Sequence, residues 1–125
     1  MGRVNSFMEL EVYKLACDLS IEIYVLTQAF PKEEKYSLTD QIRRSSRSVG
    51  AQLAEAWAKR RYPKHFISKL TEADGEQLET QHWLNTAQRC GLLAPEETLI
   101  FRSKYERLGK QIQTMIEKSH LFCRP

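Results

Sequence analysis

Over residues 6 to 29 apolar side chains recur at helical spacing, with Val12, Leu15, Leu19, Ile23 and Leu26 in one row and Tyr13, Cys17, Ser20 and Tyr24 in a second beside it. The two rows cover more than half of the circumference, whereas a surface helix in a small bundle needs an apolar arc of only about 100°. This first helix has apolar surface to spare, which points to self-association. Pro31 disfavours helical backbone at Phe30 and ends the segment within "FPKEEKYS". Ser37 is placed to cap a second helix over residues 37 to 60, and Asp40 in its first turn suits the helix dipole. Leu38, Ile42, Val49, Leu53, Ala56 and Trp57 line one face of it.

Pro63 opens a third helix over residues 63 to 90, with Phe66, Leu70, Ala73, Gln77 and Leu84 along one face. "CGLLAPEE" closes it, Gly91 taking a left-handed C-terminal position and Pro95 opening a fourth helix over 95 to 118. Phe101, Tyr105, Leu108, Ile112, Met115 and Ile116 form the apolar stripe of that helix. Short connections force successive helices to run antiparallel. The expected fold is therefore all-α, an antiparallel up-and-down four-helix bundle in a single domain over residues 1 to 125, with residues 1 to 5 and 119 to 125 as frayed ends.

Composition changes this picture little. A hydrophobic fraction of 42% with only five Gly and four Pro suits one core built from a few long helices. Cys17, Cys90 and Cys123 are odd in number and widely spaced, so neither a disulfide framework nor a zinc site is expected, and a reducing cytoplasm fits. Charges interrupt the first residues too early for a signal peptide, and no apolar run approaches the roughly 18 residues that span a bilayer, so no membrane partner is expected. Met1, Gly2 and Ser6 match the myristoylation pattern M-G-x-x-x-[ST], a short pattern on which only eukaryotic hosts act.

Candidate chemistry is sparse. Glu79 with His82 and Glu117 with His120 are both Glu-x-x-His, the pair that builds di-metal sites in bundles. In an antiparallel pair His82 falls level with about residue 104, which leaves His120 roughly 24 Å away at 1.5 Å per residue. One metal cannot hold both motifs. No Gly-x-Ser-x-Gly, Walker loop or Gly-rich phosphate cradle is present, so the chain is expected not to be an enzyme and to need no cofactor.

Charge is where the sequence becomes specific. Between residues 42 and 70 stand Arg43, Arg44, Arg47, Lys59, Arg60, Arg61, Lys64 and Lys69 against Glu55 alone, while the flanking segments are acidic. At 100° per residue Arg43 and Arg47 share a stripe with Gly50, Ala54 and Ala58, to which Arg61 returns. A charged row with small residues in its middle lets a backbone or a phosphate ribbon approach closely. Arg43, Arg44, Arg47, Lys59, Arg60, Arg61 and Lys64 are thus candidate phosphate contacts to RNA or another nucleic acid. Two other outcomes stay open: pairing with the acidic face of Glu72, Glu76 and Glu79 on helix three, within the bundle, across subunits or with an acidic partner protein, and a merely solvated face. Trp57 follows Leu53 at core spacing, and few exposed aromatics are placed to stack bases.

From "DLSIEIYVLTQAFPKEEKYSLTDQIRRSSRSVGAQLAEAWAKRR" the chain resembles the four-helix-bundle family encoded in intervening sequences of bacterial 23S ribosomal RNA genes. Glu11, Tyr13, Ala16 and Leu19, then "SVGAQLAEA", "DGEQLETQHWL" and "CGLL", carry the likeness, which runs from about residue 7 to residue 117. Gln52 and Ala56 depart from it, standing where Asn and Gly are usual. The resemblance implies four antiparallel helices assembling into a homopentameric ring. It also implies likeness to accessory bundle proteins of diversity-generating retroelements, basic rings that bind nucleic acid, and no enzymatic activity.

Overall fold

The computed structural model describes residues 4 to 124. Four helices, α1 (Glu11–Thr27), α2 (Leu38–Ala58), α3 (Pro63–Arg89) and α4 (Pro95–Glu117), make up most of them, and no strand occurs among the described residues. Cross-helix contacts fix the directions. Arg43 meets Thr27, Lys69 meets Glu55, Gln113 meets Asp74 and Lys104 meets Glu22, so residue number rises along one helix as it falls along its neighbour. The α2/α3 seam is the most extensive and the α1/α4 seam the thinnest.

The core follows the apolar rows. Leu19, Ile23, Ile42, Val49, Leu53, Phe66, Leu70, Leu84, Tyr105, Leu108 and Ile112 are fully buried. Leu15 and Leu26, in the first predicted row, stay partly exposed at its edge. Two polar contacts inside the bundle set register: Ser45 Oγ lies 2.8 Å from Thr80 Oγ1 across α2 and α3, and buried Gln77 packs on Gly109 of α4. A Cβ at Gly109 would stand 2.7 Å from Gln77 Nε2, so any larger residue would require the end of the Gln77 side chain to move. Gln77 in turn donates to Asp74 (2.9 Å), whose other oxygen accepts from Gln113 of α4 (3.2 Å).

Several boundaries differ from the sequence expectation, each for a local reason. The first helix does not begin at residue 6: Phe7–Glu9 is a single 3-10 turn, Leu10 is extended (φ −67°, ψ 130°), and α1 starts at Glu11. Ser6 caps the short turn, its Oγ accepting from Met8 N–H at 3.2 Å. Of the myristoylation pattern, Met1 and Gly2 lie outside the described residues. Ser37 does not cap α2 with its side chain. Glu34 does, its Oε1 accepting both Ser37 Oγ–H (2.6 Å) and Leu38 N–H (3.2 Å). Pro63 and Pro95 do occupy the first turns of α3 and α4, and Gly91 has the expected left-handed φ of 77°.

The C-terminal segment expected to fray is instead docked. Residues Ser119–Leu121 form a 3-10 turn, the Phe122 ring stacks on Phe66 at 6.1 Å between centroids, and Arg124 N–H donates to the Arg60 carbonyl at 2.9 Å. Val4, at the other end, packs against the core.

Candidate nucleic-acid interface

The double acceptance by Glu34 fixes the chain just before α2, and so fixes Lys35 and Tyr36 at the mouth of the helix. Tyr36 is 85% exposed, with Lys35 Nζ over its ring at 5.3 Å. From there a groove of about 580 Å³ runs along α2, lined by Lys35, Tyr36, Thr39, Asp40, Arg43, Arg44, Arg47, Ser48 and Ala51. Three of the candidate arginines therefore share one concavity. Lys35, Tyr36, Thr39 and Ser48 were not among the candidates. Within α2, Asp40, Arg43 and Arg47 recur at intervals of three and four, which is one helix row, but Lys35 and Tyr36 stand in the turn before the helix and carry no such signal.

The arginines of this row have different surroundings. Arg43 donates from Nε to Thr27 Oγ1 (2.7 Å), and its guanidinium lies 4.9 Å from the centroid of the Tyr24 ring. The Thr27 hydroxyl passes its own proton back to the Ile23 carbonyl (2.8 Å), so Arg43 is held by a fully used partner. Arg47 lies 5.8 Å from the same ring and has no salt bridge among the described residues. Arg44 turns the other way, to Glu79 and to Glu76 (3.4 Å) on α3. Its guanidinium is raised above its ordinary pKa, first by the hydrogen bond to Glu79. Partial burial pushes the Glu79 carboxyl up, but hydrogen bonds from Trp83 and Arg44 outweigh that and hold it below its usual range. For Arg44, pairing with the acidic face of helix three within the bundle is the outcome. Glu72, the third acid on that face, takes Lys69 instead (3.2 Å).

The α2/α3 junction is the second basic region. Arg60 is not free there: its guanidinium stacks 3.6 Å from the Trp57 ring centroid, and its Nε donates to the Trp57 carbonyl (2.9 Å). Burial, and then the charge of Arg124, lower its pKa. Lys59, Arg61 and Lys64 are exposed and have no salt bridge among the described residues. Tyr62 between them is 53% exposed, 5.6 Å from the His65 ring. Tyr36 and Tyr62 thus correct the expectation that few exposed aromatics stand near the basic residues.

The small residues of the stripe have separate fates. Gly50 is buried against α1, where a Cβ would meet Tyr13 and Cys17 at 3.6 and 3.7 Å, while Ala58 is exposed. α2 ends at Ala58, so Arg61 belongs to the following turn and not to the helical row. Gln52, one of the two unusual residues, leaves its Oε1 buried without a hydrogen-bond partner, and the other, Ala56, is fully buried.

Glu79 is engaged with Arg44 and Trp83, and His82 is exposed with its ring 4.6 Å from that of Trp83. No cluster of three or more metal-ligating side chains occurs among the described residues, and no helix there is long and apolar enough to cross a membrane.

No curated protein matches the chain. Among solved structures, a protein of unknown function from the S23 ribosomal protein family of Bacteroides thetaiotaomicron VPI-5482 superposes with a TM-score of 0.76 at 26% sequence identity, covering 85% of this chain and 95% of that one. The family model described as 23S rRNA-intervening sequence protein matches residues 8–114. With most of its length inside that match and its helices in the same arrangement as the S23 structure, the chain belongs to the 23S rRNA-intervening sequence protein family.

Proposed function

We propose that the protein is a non-enzymatic nucleic-acid-binding protein, with RNA as its ligand, that holds phosphate along the α2 groove and at the α2/α3 junction. The observation that carries this is the convergence of Lys35, Arg43 and Arg47 on one open groove, where Asp40 is the one acid in the lining and Glu76 and Glu79 nearby are engaged with Arg44. Lys59, Arg61 and Lys64 extend the surface. RNA is the first ligand to test because the family's name refers to intervening sequences in 23S rRNA.

A homo-oligomer, as the pentameric ring of the resemblance, belongs to the same proposal. Its support is apolar surface left uncovered. Ile21 and Val25 on α1 are 62% and 59% exposed, and Ile100 on α4 is 55% exposed, all within about a turn of the Lys104–Glu22 pair. The alternative role, a scaffold whose basic face docks on an acidic partner, draws on the same arginines. Three free cysteines, Cys17, Cys90 and Cys123, agree with a reducing, cytoplasmic setting.

Fluorescence anisotropy with structured RNA, single-stranded DNA and duplex DNA, between about 50 and 200 mM salt, tests the function. Affinity that falls by orders of magnitude over that range, with RNA held more tightly than DNA, is the expected result. No binding at the lowest salt would refute it and leave the acidic-partner scaffold.

A further inference from the structure

We infer that the α2 groove takes an unpaired nucleotide of a single strand, its base stacked on Tyr36 and its flanking phosphates on Arg43 and Arg47. This rests on the nucleic-acid function proposed above and adds to it the form of the ligand. Four features of the groove lead there.

The first is Tyr36 itself, the most exposed of the large apolar side chains at 85%. It gains nothing for the fold, yet the backbone on either side is pinned, by Ser37 N–H to the Glu34 carbonyl (3.1 Å) and by the Glu34 carboxylate to Ser37 and Leu38. With the backbone held, only the rotamers of the Tyr36 side chain itself are given up when a base stacks on it. Lys35 Nζ sits over the ring at 5.3 Å, a cation that also meets phosphate next to a stacked base.

The second is the order of charge. Asp40 lies between Tyr36, in the turn before α2, and Arg43 and Arg47, which follow it on one row of the helix. A carboxylate there repels phosphate and accepts N–H donors from a base edge. The acid therefore separates a base end of the groove, at Tyr36 and Asp40, from a phosphate end, at Arg43 and Arg47.

The third is Thr39. It is 6% exposed, lines the groove, and its Oγ1 has no hydrogen-bond partner among the described residues. The hydroxyl oxygen itself is enclosed, so what Thr39 gives the groove is a closely packed floor between Tyr36 and Arg43, with no hydrogen bond to the nucleotide assigned to it. The fourth is size. About 580 Å³ lies within the range of pockets that hold small organic ligands, room enough for one nucleotide. A base paired in a duplex shows only its edges, whereas stacking on an aromatic ring needs its face.

The test compares an oligoadenylate of about ten nucleotides, within the usual span of single-strand sites, with an abasic phosphodiester chain of equal phosphate count. Wild type and Tyr36→Phe are expected to bind the oligoadenylate roughly 10-fold more tightly than the abasic chain, the range seen for one stacked base. Tyr36→Ala is expected to bind both alike, at the abasic affinity. Because the Tyr36 ring is exposed, circular dichroism should show all three proteins equally folded. Equal binding of both chains by wild type, or a preference kept by Tyr36→Ala, would overturn the stacked base and leave the charge-based function standing. If wild type binds neither chain nor any RNA at low salt, the function and the inference fall together.

Discussion

The two ends of α2 carry similar runs of cations and put them to different use. At the N-terminal end, Arg43, Arg44 and Arg47 occupy adjacent turns, yet one is tied to Thr27 and Tyr24, one to Glu76 and Glu79, and one only lies near Tyr24. At the C-terminal end Arg60 folds back on Trp57, and Lys59, Arg61 and Lys64 are left in solvent. A run of arginines is thus not one electrostatic object. The helix angle of each residue decides which neighbour it meets. The groove end brings cations and an exposed aromatic to one concavity, whereas the junction leaves Lys59, Arg61 and Lys64 exposed around an Arg60 that is stacked on Trp57.

Replacing both ends in turn exposes that difference most strongly. Arg43→Ala with Arg47→Ala is expected to weaken RNA binding about 10- to 100-fold near 100 mM salt, since two ordered phosphate contacts are removed. Lys59→Ala with Arg61→Ala and Lys64→Ala removes more charge but is expected to weaken binding only several-fold, because exposed flexible pairs return little after their ordering cost. Titration by anisotropy checks both. A larger effect from the junction would reverse the ranking of the two ends.

Arg44 sharpens the comparison from the side of stability. Arg44→Met should lower stability by about 1 kcal/mol or less in urea denaturation, an exposed network being screened, and should leave RNA affinity within a factor of about two. The pH dependence follows from Glu79. Its carboxyl is depressed in the folded protein, so the unfolded chain binds the proton more readily, and the stabilisation is present above the unfolded carboxylate range. It is lost as pH falls through the lower folded value. Denaturation at pH 6 and pH 3 should show this loss shrink by a few tenths of a kcal/mol in Glu79→Gln, a small figure because its side chain is 34% exposed.

Gly50, between the two ends, gives the smallest effect. Its φ is not positive, and an added Cβ meets Tyr13 and Cys17 only at ordinary contact distance, so Gly50→Ala should stabilise α2 by about 0.5 kcal/mol. A loss of stability or of RNA binding would restore the idea that this glycine admits a second backbone or a phosphate ribbon.

Much of the fold was legible because it rests on local punctuation. Pro31, Pro63, Gly91 and Pro95 act through their own backbone restrictions, and the apolar rows of α2 and α3 named residues that are buried. The misplaced start of α1 has a different origin. Phe7 and Leu10 continue an apolar pattern, but Ser6 stabilises a tight turn that the pattern cannot distinguish from a helix. The cap of α2 was missed because the Ser37 hydroxyl donates to the Glu34 carboxylate, which itself takes Leu38 N–H, and this arrangement depends on side-chain reach. The docked tail was missed because its anchor, Phe66, is distant in sequence. At the candidate site the sequence located the cations but not their partners. Whether Arg43 or Arg44 meets an acid depends on how α2 is rotated between α1 and α3, which periodicity along one helix does not fix.

The most direct measurement compares the salt dependence of RNA binding for wild type, Arg47→Ala and Arg44→Ala, taken from the slope of log affinity against log salt. Arg47 lines the groove without an acidic partner and Arg44 is engaged by Glu76 and Glu79, so Arg47→Ala should flatten the slope by about one contact and Arg44→Ala should leave it unchanged. Equal flattening in both variants, or a wild-type slope near zero, would contradict the assignment of the α2 groove as the phosphate-holding surface.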